Sequence, residues 1–244
     1  MSIKNIGIVL WIAVLVYAGY YIYQRVSSNS SAKSGDEPAA ILSPDHDGRE
    51  FFDVPWKRLP QIKPFELTER SGEAFDSRTL AGKPYVLSFF FTNCPTICRD
   101  LNRQIGVLVN RHRDTDVTFI GLSVDTRNDT PEVLRAYASD FDADPEKWLM
   151  MTGQQFKINQ IARNELLTVV DGDHHTGDIF LIDRWGRFRD RFSWNDSREM
   201  KRFDDVLQEV LAETEPPLDK TISTRNFGAT FKHTPQNQDT AHPW

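Results

Sequence analysis

Uncharged residues run unbroken from Ile6 to Tyr23, and apolar residues then recur in organised blocks only between about Phe65 and Leu211. As a helix rising 1.5 Å per residue, the first stretch would be roughly 27 Å long, close to the thickness of a hydrocarbon core. It reads as one membrane span within an anchor over residues 1–25, and Tyr17, Tyr20, Tyr21 and Tyr23 suit an interfacial belt at its end. A cleaved signal peptide is the alternative. Against it, bulky Tyr20 to Tyr23 are followed by Gln24 and Arg25, with no small-residue cleavage site. Lys4 and the amino terminus on one side face Arg25 and Lys33 on the other, so charge does not settle the orientation.

Val26 to Asp53 is rich in Ser, Asp, Glu and Pro without apolar periodicity, the pattern of a solvated tether, and we assign a flexible tether to residues 26–60. Glu215 to Trp244 carries four prolines and many polar residues with no run able to bury a core face. Residues 214–244 are therefore expected to be a disordered tail, leaving 61–213 as the folded domain.

Within that domain a short strand at Phe65–Thr68 leads through a Ser71-Gly72 turn. Tyr85 to Phe91 (YVLSFFF) is a continuous apolar run of strand length, fitting a central strand buried on both faces. Pro95 suits the first turn of a helix whose apolar positions Leu101, Ile105, Leu108 and Val109 recur at three- and four-residue steps to about His112. Val117–Val124 is a second buried strand, and Thr130-Pro131-Glu132 opens a helix with a cap and a proline at its first position. Trp148–Thr152 is a third strand, Phe156–Arg163 a short helix, and Ile179–Asp183 with Phe188–Phe192 a hairpin around Gly186. Ser197 begins the last amphipathic helix, carrying Met200, Phe203, Val206, Leu207, Val210 and Leu211. Alternating strands and helices imply an α/β layered domain with a partly parallel sheet.

Composition narrows the function classes. A chain of 244 residues with 39% hydrophobic content allows one well-buried domain plus appendages. The 29 Lys and Arg are outnumbered by 35 Asp and Glu, so no broad cationic surface exists for a phosphate backbone, and nucleic acid is excluded as a partner. The two cysteines, Cys94 and Cys98, are too few and too close to staple a scaffold. A structural disulfide there would close a short loop and stabilise little.

The order strand, CPTIC, helix places a sulfur near the positive end of a helix macrodipole, where thiolate is favoured. If the helix is continuous from Cys94, Cys98 lies one turn on along the same face, so the pair can share a metal ion or form a disulfide. Arg99 adds a nearby cation. No further cysteines exist to complete a structural zinc site. Two soft thiolates call for one more donor to make a three-coordinate site for a soft metal, and imidazole suits copper. His46 falls in the tether, His233 and His242 in the tail, and His112 at a helix end about four turns from Cys98, where a solvated surface position is expected. His174 and His175 occupy a polar loop, DGDHHTGD, just before the strand IFLID. A loop histidine is commonly just solvent-exposed, but loops entering a layered sheet can converge with the turn that holds the cysteines. Asp125 either faces the site from the end of its strand or caps the following turn.

FFFTNCPTIC after Gly82-Lys83-Pro84, then GLSVDTRNDTPEVLRAYA, then Gly153, then His175 four residues before Ile179, together resemble the Sco/SenC family of copper-binding, thioredoxin-fold proteins. The similarity spans roughly Phe65 to Phe192. It implies a thioredoxin-like α/β fold, with a central mixed sheet flanked by helices, preceded by one transmembrane helix. It implies copper as the bound ion, with Cys94, Cys98 and His175 as ligands. It also implies a domain on the periplasmic or intermembrane side that helps assemble the binuclear copper centre of cytochrome c oxidase. The absence of an Arg-rich amphipathic presequence favours a bacterial inner membrane. Two departures stand out: Arg99 where the family usually has a proline after the second cysteine, and His174 where it usually has an acidic residue before the histidine.

Two functions follow. The first is a copper metallochaperone that passes its ion to a membrane oxidase subunit or another copper chaperone. The second is an enzyme, a thiol-disulfide oxidoreductase using Cys94 and Cys98 to reduce the cysteines of a copper-accepting partner. The carrier needs a histidine ligand and the reductase does not, so His175 discriminates between them.

Overall fold

The computed structural model describes Tyr17, Tyr20, Ile41, Leu42 and residues 51–95, 97–166, 168, 170 and 177–225. The chain divides into two units, residues 1–38 and 39–244. In the second, β1 (Ile41–Leu42), β2 (Phe51–Pro55) and a 3-10 turn at Trp56–Arg58 precede β3 (Glu66–Glu69) and β4 (Ala74–Asp76). Then come β5 (Tyr85–Phe90), α1 (Ile97–Arg111), β6 (Thr118–Ser123), α2 (Pro131–Ser139), β7 (Trp148–Thr152) and α3 (Gln155–Gln160). The order closes with β8 (Asp178–Ile182), β9 (Phe188–Ser193), α4 (Ser197–Ala212) and β10 (Thr221–Arg225).

Seven strands form one mixed sheet in the order β4-β3-β7-β6-β5-β8-β9. β5, β6 and β7 run parallel, with Leu87 opposite Ile120 and Ile120 opposite Leu149, while β8 returns antiparallel against β5. Every residue of β5 and β6 is buried, which explains why these strands read as apolar runs without alternation. Val86, Phe90 and Phe119 face the layer of α1, α2 and α4; Leu87, Phe89, Ile120 and Leu122 face the layer that includes Ile158 of α3. Gly121 lets these strands approach: a Cβ there would lie 2.8 Å from Phe90 Cε1. Thr130 caps α2 by accepting a hydrogen bond from the Val133 N–H, with Pro131 in the first turn, as its sequence implies.

The expected tether and tail are each partly structured. β2, inside the assigned tether, pairs antiparallel with β10, inside the assigned tail, and β1 flanks β2 in a separate three-stranded sheet. Phe52, Val54, Trp56, Leu59 and Ile222 form a third apolar cluster against Trp185. Each segment carries too few apolar residues to bury a face by itself; it becomes a strand only through a partner about 170 residues away. Trp56 ties this sheet to the main one: its Nε1 donates to Asp183 Oδ2 at 2.7 Å, and Arg187 lies over its ring at 4.5 Å. Asp183 is 3.6 Å from Arg189, whose guanidinium also pairs with Glu213 at 2.6 Å.

Three further expectations change. α1 starts at Ile97, so Cys94 and Pro95 precede it instead of opening it. His112 is buried, with Nε2 3.0 Å from Asp204 Oδ1 and its ring edge-on to Phe203. The third helix is a short α-helix that widens into a π turn at Ile161–Glu165. Of the anticipated membrane span, only Tyr17 and Tyr20 fall among the described residues, both helical and exposed. Among the described residues no helix is long and apolar enough to cross a membrane.

Candidate dithiol and metal site

β5 and β6 end side by side, and the chain leaving β5 turns at once: the Cys94 N–H donates to the Phe91 carbonyl at 3.3 Å. Cys98 follows in the first turn of α1. Cys94 is 7% exposed and Cys98 fully buried, and no disulfide joins them. The two sulfurs are within hydrogen-bonding contact, and the Phe91 backbone also bonds to Cys98. Burial pushes the Cys98 thiol well above its ordinary range; contact with Cys94 adds to this, the Phe91 bond opposes it, and the charge of Asp129 raises it further. At Cys98, in the first turn of α1, desolvation thus works against thiolate.

Arg99 does not supply the counter-charge its position suggests. Its guanidinium pairs with Asp140 at 3.1 Å and lies over the rings of Phe141 and Tyr137. Asp125 accepts from Asn128 Nδ2 at 2.8 and 3.0 Å, closing the turn after β6. Tyr137 stacks on Phe90 and accepts from Asn102 Nδ2 at 3.0 Å. Burial pushes its phenol up to about 12, so it stays protonated across the physiological range.

The polar partners that sequence reading missed centre on Asp129. This fully buried carboxylate accepts from the Thr92 backbone N–H at 3.1 Å, the Thr92 hydroxyl at 2.5 Å and the Ser123 hydroxyl at 2.5 Å. The available signal was a carboxylate directly before the Thr130-Pro131 helix cap, beyond the carboxyl end of a parallel strand, where α/β sheets place their sites.

His174 and His175 lie outside the described residues, as do His46, His233 and His242. Among the described residues no three His, Cys, Asp or Glu side chains gather as a metal cluster. The strand that follows His174 and His175 in sequence does reach the cysteines' neighbourhood. β8 pairs with β5 so that Ile179 opposes Ser88, and a Cβ on Gly177 would stand 3.6 Å from Ile97 Cδ1 and 3.1 Å from Trp194 Nε1. Ile97, adjacent to Cys98, is 36% exposed. The donor chemistry in place, two thiols in contact beneath an apolar rim, fits a soft cation.

Comparison with known proteins gives a consistent answer. The SCO1/SenC family model matches residues 57–210. An SCO2-like protein of Rickettsia prowazekii is 31% identical over 141 residues, covering 53% of this chain and 67% of that protein. Among solved structures, a SCO1/SenC family lipoprotein from Bacillus anthracis superposes with a TM-score of 0.59 at 27% identity, over 64% of this chain and 97% of the other. Bradyrhizobium japonicum ScoI, determined with copper bound, gives a TM-score of 0.51 at 29% identity, over 62% and 99%. These matches carry the thioredoxin-like arrangement of the mixed sheet and its helices.

Proposed function

The chain belongs to the SCO1/SenC family, and we propose that it carries copper on Cys94, Cys98 and His175 and delivers it during assembly of the binuclear copper centre of cytochrome c oxidase. The observation that carries this reading is the convergence of two chain segments. Gly177 lies against Ile97, next to Cys98, and two residues of chain span at most about 7 Å. This supports His175, two residues before Gly177 in sequence, as the third donor: an imidazole would complete a three-coordinate set with two thiolates.

Loading exchanges protons for the cation: each ligating thiol gives up its proton as its sulfur binds. Burial that disfavours a bare thiolate at Cys98 is relieved when a positive ion replaces the proton. Release to an acceptor would proceed by ligand exchange, the acceptor's donors binding as the Cys94 and Cys98 bonds to copper break and those sulfurs regain protons.

In this reading Ile6–Tyr23 anchors the protein in the inner membrane with the domain on the periplasmic side. The division of the chain before Ala39 supports a separable domain. Removing residues 1–35 is expected to leave a soluble, folded protein; aggregation with loss of the circular-dichroism signal would count against it.

The deciding experiment is a competition titration against a copper chelator, with thiol titration in parallel. His175→Ala is expected to abolish tight binding while leaving the cysteines able to cycle between dithiol and disulfide. His174→Ala is expected to weaken binding by about 10- to 100-fold or less, as for residues behind a ligand. If His175→Ala binds as tightly as the parent, the three-ligand site is wrong and the reductase becomes the better account.

A further inference from the structure

We infer that Asp129 is the positioning residue of the dithiol turn, holding Cys94 against Cys98 through Thr92. The inference rests on the reading of the two cysteines as functional thiols and adds a residue to it. A carboxylate with no exposure to solvent is costly to bury unless its oxygens are satisfied, and here they are satisfied almost entirely by the ends of β5 and β6. Thr92 is gripped twice, by its backbone N–H and its hydroxyl, and Ser123 once.

Thr92 sits inside the four-residue turn that the Cys94 N–H closes on the Phe91 carbonyl. The residue on its other side, Phe91, bonds through its backbone to Cys98. One carboxylate thus fixes the centre of a turn whose two ends contact the two sulfurs. Asp129 is itself fixed from behind: its N–H donates to the Asp125 carbonyl at 2.9 Å, inside the turn closed by Asn128, and Thr130 begins the cap of α2. A purely structural carboxylate could tie β5 to β6 through Ser123 alone; the double hold on Thr92 acts on the thiol-bearing side.

The test uses the metal-free full-length protein in glutathione redox buffers. Cys94 and Cys98 together give up two electrons and two protons to glutathione disulfide, yielding the protein disulfide and two molecules of reduced glutathione. A loosened turn lowers the effective concentration of one sulfur at the other. The equilibrium constant for protein disulfide is expected to fall about tenfold in Asp129→Asn, equivalent to about 30 mV. Thr92→Val, which keeps Asp129 and its bond to Ser123, is expected to move it in the same direction and guards against failure of the first variant to fold. Val54→Ala, in the small sheet, is expected to lower thermal stability while leaving the constant within twofold.

A constant within twofold of the parent in both site variants, or one that rises, would overturn the proposal. So would an equal shift in Val54→Ala, which would mark the effect as general destabilisation. Copper affinity, measured separately, is expected to fall about 10- to 100-fold in Asp129→Asn. A parent that binds no copper would defeat the carrier function yet leave the redox test of Asp129 intact.

Discussion

The central strands β5 and β6 and the outlying pair β2 and β10 are built on opposite terms. β5 and β6 are buried at every residue and lie 33 positions apart in register, so each segment announces its burial by composition alone. β2 and β10 alternate buried and more exposed residues, and Phe51 finds its partner at Arg225. The first pair can form early from contacts of modest sequence separation; the second must wait for the chain to return. The dithiol turn grows from the first kind of element, and the clasp of Trp56, Asp183 and Arg189 belongs to the second.

Substitutions can separate the two. Phe90→Ala removes a fully buried ring stacked on Tyr137 and is expected to cost about 3–5 kcal/mol, read as a fall in the urea midpoint with disruption of the neighbouring thiol turn. Deleting residues 214–244 removes β10 and withdraws Ile222 from its cluster. The expected loss is about 1.5–3 kcal/mol, with copper competition and thiol titration unchanged; a simultaneous loss of copper binding would show that the clasp supports the site. Gly121→Ala forces a methyl to within 2.8 Å of the Phe90 ring and should cost about 1–3 kcal/mol by overpacking, measurable by thermal unfolding.

A further effect is one of pH. Because the folded protein holds the Cys98 proton more tightly than the unfolded chain does, the associated stability is complete below the unfolded thiol value of about 8.5. It is lost as pH rises above that value toward the raised folded one, by about 1.4 kcal/mol per pH unit. Denaturant unfolding of the dithiol form between pH 8 and 10 should show this slope, and Cys98→Ala should flatten it.

The sequence disclosed the parts whose causes are local. Runs such as YVLSFFF and the Thr130-Pro131 cap each carry their own physical signature, and the corresponding elements lie within a residue or two of expectation. What it withheld depends on distant partners. Phe52 and Val54 look solvated until Ile222 is brought beside them, His112 looks exposed until Asp204 of α4 covers it, and Arg99 looks like a partner for thiolate until Asp140 claims it. Asp129 was hidden differently: its place before the Thr130-Pro131 cap marks it, but RNDTP alone does not say that its carboxylate turns inward to Thr92 and Ser123.

The antiparallel register of β2 and β10 has a mechanical consequence. Phe51 and Arg225 face each other, and Pro55 and Thr221 close the far end of the pair, so the chain enters β2 and leaves β10 at the same end of the same two strands. A pull applied between residues 50 and 226 would load those strands as a zipper, opening bonded pairs one after another from Phe51–Arg225 inward, instead of shearing them all at once. Tension of that kind would be spent on the β2–β10 pair before it reached the seven-stranded sheet, leaving the thiol turn, on a different sheet, mechanically shielded from that pull.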